Sequence, residues 1–91
     1  MHAVVVRVNI HDYDVAHEGL VTQVVPAVSQ APGFVAGYWT RSSSDNKGIS
    51  MVMFDTEDQA NAAAAMIQQG PPNPDAVTLE GVEVREVIES A

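Results

Sequence analysis

The sequence predicts a single α+β domain whose strands and helices follow in the order βαββαβ. Three observations carry this reading. The run Ala3 to Ile10 is β-branched almost throughout, two later segments have helical periodicity and open with capping chemistry, and Pro32-Gly33 leads at once into the apolar stretch Phe34-Val35-Ala36-Gly37-Tyr38-Trp39. Ninety-one residues fit one domain, 1–91, and a chain of this size removes only about 60–65% of its unfolded surface from water, so a partner that covers more would add stability.

Taken in order, Ala3 to Ile10 (AVVVRVNI) has the composition of a strand buried on both faces. Asp12 and Asp14 then supply short carboxylates that accept the free N–H groups of a first helical turn, and a helix follows from about Val15. Val21, Val24, Val25 and Val28 stand at i, i+3, i+4 and i+7 and form its expected buried stripe, with Glu18, Thr22 and Gln23 outward. Pro26 falls inside that pattern. Because proline lacks the backbone N–H and clashes with the preceding turn, the helix is expected to kink or restart there and to end before Pro32-Gly33.

Phe34 to Arg41 is the second strand. The polar run Ser42 to Gly48 turns the chain into a third, Ile49 to Phe54, as an antiparallel hairpin. Thr56-Glu57-Asp58-Gln59 matches a capping box, and Ala60, Ala63, Ala64 and Ile67 repeat the helical spacing with side chains small enough for close packing. Gly70-Pro71-Pro72 stops this second helix, residues 73–76 form a loop, and Val77 to Ile88 contains the last strand. Two split β-α-β units of this order make a ferredoxin-like sandwich, a four-stranded antiparallel sheet with two helices on one face.

In such a sheet the first and third strands are central. The first places Val4, Val6, Val8 and Ile10 on one side and Ala3, Val5, Arg7 and Asn9 on the other; the third places Val52 and Phe54 on one side and Ile49, Met51 and Met53 on the other. Neither side is polar enough to face water. Pairing of two sheets would bury the second face, and covering ~600 Å² of apolar area is worth on the order of 15 kcal/mol before the entropy cost of association. A homodimer through the sheet is therefore expected. Arg7 on a central strand needs a partner, and Glu83 or Glu86 on the last strand can supply it.

Composition narrows the function classes. Four Lys and Arg against twelve acids give a net charge of -8, which repels phosphate backbones and anionic membranes. The third strand also lacks the basic-Gly-aromatic pattern that stacks RNA bases. Without cysteine there is no disulfide, thiolate nucleophile or Cys-ligated metal, and neither a signal-peptide pattern nor a membrane-spanning run is present. A soluble cytoplasmic protein is expected. His11, Asp12, Asp14 and His17 cluster in sequence but lack metal-ligand spacing, so no metal site is expected, and His2 reads as a terminal residue only.

Val25-Pro26-Ala27-Val28 leading into Pro32 to Trp39, together with Phe54-Asp55-Thr56-Glu57-Asp58-Gln59-Ala60, resembles the dimeric α/β-barrel superfamily, specifically short proteins related to antibiotic-biosynthesis monooxygenases. The resemblance covers nearly the whole chain and lies in scaffold-forming residues. It implies two sheets closed into a barrel across a dimer, with a pocket in each protomer between helices and sheet. Members include cofactor-independent monooxygenases, haem-degrading oxygenases, isomerases and proteins without a known activity, so the likeness does not fix a reaction. The haem-degrading branch uses an asparagine on the first strand, a tryptophan ending the third and a histidine on the second helix. Only Asn9 matches, because Phe54 replaces the tryptophan and the second helix (57–69) has no histidine, and no cofactor is expected.

Cofactor-free oxygenation needs a group that deprotonates or polarises an aromatic substrate inside a dry cavity. Asn9 and His11 are the candidate catalytic residues, the first as donor to a developing oxyanion and the second as general base; Tyr38, Trp39 and Arg41 are the candidate ligand-binding residues. Each has a structural role as its alternative: the aromatics as packing, His11 as a solvated residue at a helix start. Tyr38 and Trp39 point to opposite faces of one strand, so only one of them lines the helix-side pocket. The expected function is binding of a small apolar or aromatic molecule, with cofactor-independent oxygenation as the implied activity and a non-catalytic binding or assembly module as the alternative.

Overall fold

The computed structural model describes residues 1–91. Four strands, β1 (His2–Ile10), β2 (Phe34–Arg41), β3 (Lys47–Phe54) and β4 (Val77–Glu86), form one antiparallel sheet in the order β2-β3-β1-β4. The expected central pair, β1 and β3, is central. β3 starts two residues before Ile49 and β4 ends at Glu86, because the flanking residues at both places continue or lack ladder partners. All helices pack on one face: Val28 from the first helical stretch and Ala60, Ala63 and Ala64 from the last helix join Val4, Val6, Val52 and Phe54 in a single buried cluster. The fold is thus the α+β, ferredoxin-like arrangement that the element order implies.

The first helical stretch has three parts: α1 (Tyr13–Gly19), a π-helical turn (Leu20–Val24) and α2 (Val25–Ser29). The Asp12 carboxylate accepts the Val15 N–H at 3.3 Å, so the cap is as expected and the helix begins two residues before Val15. Pro26 explains the middle. Its missing N–H and its ring disfavour a regular α-turn, and the chain widens one turn ahead of it, the Val25 N–H bonding to the Leu20 carbonyl, so that α2 restarts with Pro26 in its first turn. This extra width rotates the residues before it. Val21, expected in the buried stripe, is 55% exposed, whereas Val28 after the turn is buried.

Two β-bulges have the same kind of consequence. The β2–β3 register slips between Phe34 and Ala36, and the β1–β4 register slips opposite Arg7 and Val8, leaving Glu80 out of the pairing. An extra residue reverses the alternation of faces. Phe34 and Trp39 therefore both pack on the helix side although an even number of residues lies between them, and so do Leu79 and Val82. On the opposite face the same slip lets both Glu80 and Glu83 reach cations. Glu80 holds Lys47 at 2.8 Å, while Glu83 holds Arg7 at 2.6 Å and Arg85 at 3.0 Å, so Glu83 rather than Glu86 is the partner of Arg7.

The join of β3 and α3 (Glu57–Ile67) forms the expected capping box: the Gln59 N–H donates to the Thr56 hydroxyl, and the Gln59 carboxamide accepts from the Thr56 N–H, both at 3.2 Å. Gly33 presses on this box. Its φ is +80°, a Cβ there would collide with the Gln59 carboxamide, and its carbonyl accepts the Asp55 N–H at 2.9 Å. The Pro-Gly stop thereby supports the start of α3. His2, expected to be only a terminal residue, begins β1 and lies 3.5 Å from Glu57 in the first turn of that helix.

Thr56→Ala removes one half of the box and is expected to cost about 1 kcal/mol in denaturant unfolding. Gly33→Ala should cost more, and the two losses should not add, since both act on Gln59; additive costs would contradict the link. A second expectation concerns pH. Hydrogen bonds from Arg7 and then Arg85 hold the Glu83 carboxyl below the usual glutamate range. A lowered folded value means that this contribution to stability is complete above the glutamate range and is lost as pH falls through the lowered value. Carbon-13 titration should find Glu83 low in the native protein and moved up toward the ordinary range in Arg7→Gln.

Candidate functional site

The sandwich is filled at one end and open at the other. Near the start of β1 and the end of β3 the alanines of α3 lie directly on Val4 and Phe54, and Phe34 meets Phe54 edge to face at 6.3 Å. Toward the other ends of these strands the helices no longer close on the sheet. A cavity of about 510 Å³ remains there. Its floor is the helix-side row of the sheet, including Val6, Val8 and Ile10 of β1 and Leu79 of β4. Its roof is Ala16, Leu20, Val24 and Val28 from the first helical stretch, and the segment Gly70 to Asn73 after α3 closes one side.

The roof residues are spaced by four. In a regular α-helix such a row drifts by about 40° per step and leaves the face it began on. The wider π-turn takes up part of the drift, so Ala16 on one side of it and Val28 on the other both reach the cavity. The expected stripe of Val21, Val24, Val25 and Val28 shares Val24 and Val28 with this row but not Ala16 and Leu20, which come before or at the start of the π-turn.

Trp39 lines the cavity and Tyr38 does not; Tyr38 is 68% exposed on the opposite face. Trp39 lies over Gly37, where a Cβ would come within 2.8 Å of the indole ring, so this glycine makes the space in which the ring sits flat on the strand. Two residues further along the same face, Arg41 also lines the cavity. Its guanidinium carbon lies 3.7 Å from the centre of the Tyr13 ring, and Tyr13 stacks on His17 at 5.4 Å with the rings within 7° of parallel. All three border the cavity. Sequence reading did not single out Tyr13; the signal available was its i, i+4 spacing from His17 at the helix start, next to Asp12.

The candidate catalytic pair is placed elsewhere. Asn9 alternates with Val8 and Ile10, pairs with Lys47 and Thr78 across the ladder, and does not line the cavity. His11 leaves the sheet just beyond it. The ring shares a 2.7 Å hydrogen bond between Nε2 and the Thr78 hydroxyl, and its backbone N–H donates to the Ala76 carbonyl at 2.7 Å. It too stands outside the cavity lining. Of the five candidates, then, Trp39 and Arg41 come together at one site, while Asn9, His11 and Tyr38 do not join them.

Polar chemistry inside the cavity is sparse. Ser50, the one buried polar residue, offers a hydroxyl from the floor of β3, and Thr40 at the rim spends its own hydroxyl on the Ile49 carbonyl at 2.6 Å. Charge is concentrated at Arg41. Arg7, Lys47 and Arg85 each hold a glutamate, and Arg41 alone among the four cations has no carboxylate partner. No three His, Asp or Glu side chains converge as a set of metal ligands. No helix is long and apolar enough to cross a membrane.

The site can therefore enclose a mostly apolar body, offer one hydroxyl near its floor, and meet polar or charged groups at a mouth made of Arg41, Tyr13 and His17. Against known proteins, no family model matches the chain and no curated protein matches it.

Proposed function

We propose that this protein binds a small, predominantly apolar or aromatic molecule in the cavity between its helices and its sheet, and that it does so as a homodimer joined through the other sheet face. The observation that carries the binding reading is the cavity itself. At about 510 Å³ it lies within the range of small-molecule sites, roughly 300–1,000 Å³, and it combines aliphatic walls with few polar groups gathered at one end. A lining of this type gains free energy from the area of ligand it removes from water, while the polar end sets orientation.

Cofactor-independent oxygenation is the activity that the family resemblance attaches to such a pocket. The position of Asn9 and His11 outside the lining favours binding without catalysis over that activity, because an acid or base must come within hydrogen-bond reach of the atom it serves. Homodimerisation is supported by the free sheet face. Tyr38 and Met51 are ladder partners on it, Ile49 lies beside them, and all three are large and exposed. A second copy would cover them with the same surface in a two-fold contact.

Trp39 is the only tryptophan, so its indole N–H gives a single reporter inside the cavity. Titration with 2-naphthamide should move that nitrogen-15 signal saturably. Val24→Phe, which adds a ring to the roof, should weaken the response at least tenfold without loss of the folded spectrum; an unchanged affinity would place the ligand elsewhere. Oxygen uptake with hydroquinone-type substrates separates the two activities. We expect none above the rate without protein, and uptake abolished by Asn9→Ala or His11→Ala would restore the oxygenase. For the dimer, sedimentation at micromolar concentration should give twice the chain mass, and Met51→Glu should give the single-chain mass. A monomeric parent would overturn the sheet contact.

A further inference from the structure

We infer that the cavity selects its ligand by an acidic head group: Arg41 binds a carboxylate at the mouth, and the apolar body of the same molecule lies between Trp39 and the helical roof. The inference rests on the binding reading of the cavity and adds the charge class of the ligand to it.

Three observations lead to a carboxylate. The first is the charge inventory. In a chain with twelve acids and four Lys and Arg, three of these cations are held by glutamates on the free face of the sheet, and the fourth, Arg41, stands on the cavity side without one. An excess of acids makes an unpaired arginine an exception that the composition does not predict. The second is the way Arg41 is held. With its guanidinium carbon 3.7 Å from the Tyr13 ring centre, the group is supported from below by an aromatic face, and the N–H donors at the edge of a guanidinium remain free to take a planar, two-oxygen acceptor.

The third is the relation of this group to the rest of the site. Trp39 and Arg41 are two residues apart on one face of β2, so the charged end and the aromatic wall are fixed by the same strand. Beyond Trp39 the lining is aliphatic, with Leu20 and Val24 above and Val8 below. A molecule with one acidic end and a flat or aliphatic body matches this division. A cationic ligand does not, since its charge would meet the like charge of Arg41 at the mouth. A neutral ligand would leave the guanidinium without its best acceptor, and the difference between the acid and its neutral isostere is therefore the quantity to measure.

The acid 2-naphthoate and its uncharged counterpart 2-naphthamide have the same ring system and nearly the same size. Calorimetric titration of the whole protein near neutral pH should give an affinity for the acid about tenfold or more above that for the amide, the scale of one charge-assisted hydrogen-bond pair. Arg41→Gln should remove that preference, and an unchanged spectrum of the backbone amides away from the cavity should report that the variant is folded. Arg41→Lys should keep part of the preference, having the charge without the planar fork. Equal binding of acid and amide by the parent protein would overturn the charge assignment while leaving the cavity as the binding site. A preference that survives Arg41→Gln would do the same by placing the carboxylate on another group. Failure of both probes to bind would overturn the charge assignment together with the binding reading. If Arg41→Gln instead changed only the dimer dissociation constant, Arg41 would belong to the contact between copies and the inference would fall.

Discussion

The close approach of α3 to the sheet governs the shape of this domain. Ala60, Ala63 and Ala64 present almost no side-chain volume, so the helix backbone comes down onto Val4 and Phe54 and all of these residues are buried. The first helical stretch carries valine and leucine toward the same sheet and cannot settle as low along its whole length. With α3 held down and the first helical stretch meeting the sheet chiefly through α2, the sandwich is a wedge along its strands, tight where β1 begins and β3 ends, and open where β1 ends. The cavity follows from that wedge. The Gly70-Pro71-Pro72 stop then takes the chain across the open end, where Pro71, Pro72 and Asn73 form a wall.

Local irregularities keep the right side chains on the right faces. A π-turn ahead of Pro26 holds a four-residue row above the cavity, and a bulge in each edge strand reverses the alternation so that Phe34 with Trp39, and Leu79 with Val82, all reach the helix side. Such features interrupt hydrogen-bond ladders and tend to stand beside functional sites. Here the residues that they redirect line the cavity or adjoin its core. A perfectly regular version of the fold would send either Phe34 or Trp39 to the opposite face, and either the core or the aromatic wall would be lost.

Much of the architecture was legible in the sequence because it depends on local chemistry. Thr56 and Gln59 form a box by virtue of their spacing, Pro32-Gly33 ends a helix by virtue of backbone geometry, and the β-branched run at Ala3 to Ile10 is a strand wherever it is placed. The alternation of Tyr38 and Trp39 was likewise a property of the strand, although which face met the helices depended on the bulge at Val35. The site was less legible. Val21 appeared in the buried stripe because an α-helical period was carried through a proline that in fact widens the turn. Asn9 and His11 were attractive by residue type, yet strand parity sends the first to the free face and Thr78 draws the second aside. Tyr13, which supports Arg41 across about thirty residues of chain, gave no long-range signal at all, since a contact between a helix start and a strand end exists only after folding.

The two proposed roles, ligand binding and dimerisation, meet on β2. Its alternate residues divide between them: Trp39 and Arg41 turn toward the cavity, whereas Tyr38 and its ladder partner Met51 lie on the free face. β2 is also an edge strand, paired only with β3, and so less restrained than the central β1 and β3. A second copy seated on Tyr38 and Met51 would fix the tilt of β2, and with it the angle between Trp39 and the roof. A ligand held by Arg41 would fix the same strand from the other side. Sites that restrain one element from opposite faces are coupled whenever each prefers the same position of it, and the coupling is reciprocal. A dimer formed through this face would then be expected to bind ligand more tightly than the single chain, although no partner residue need enter the cavity.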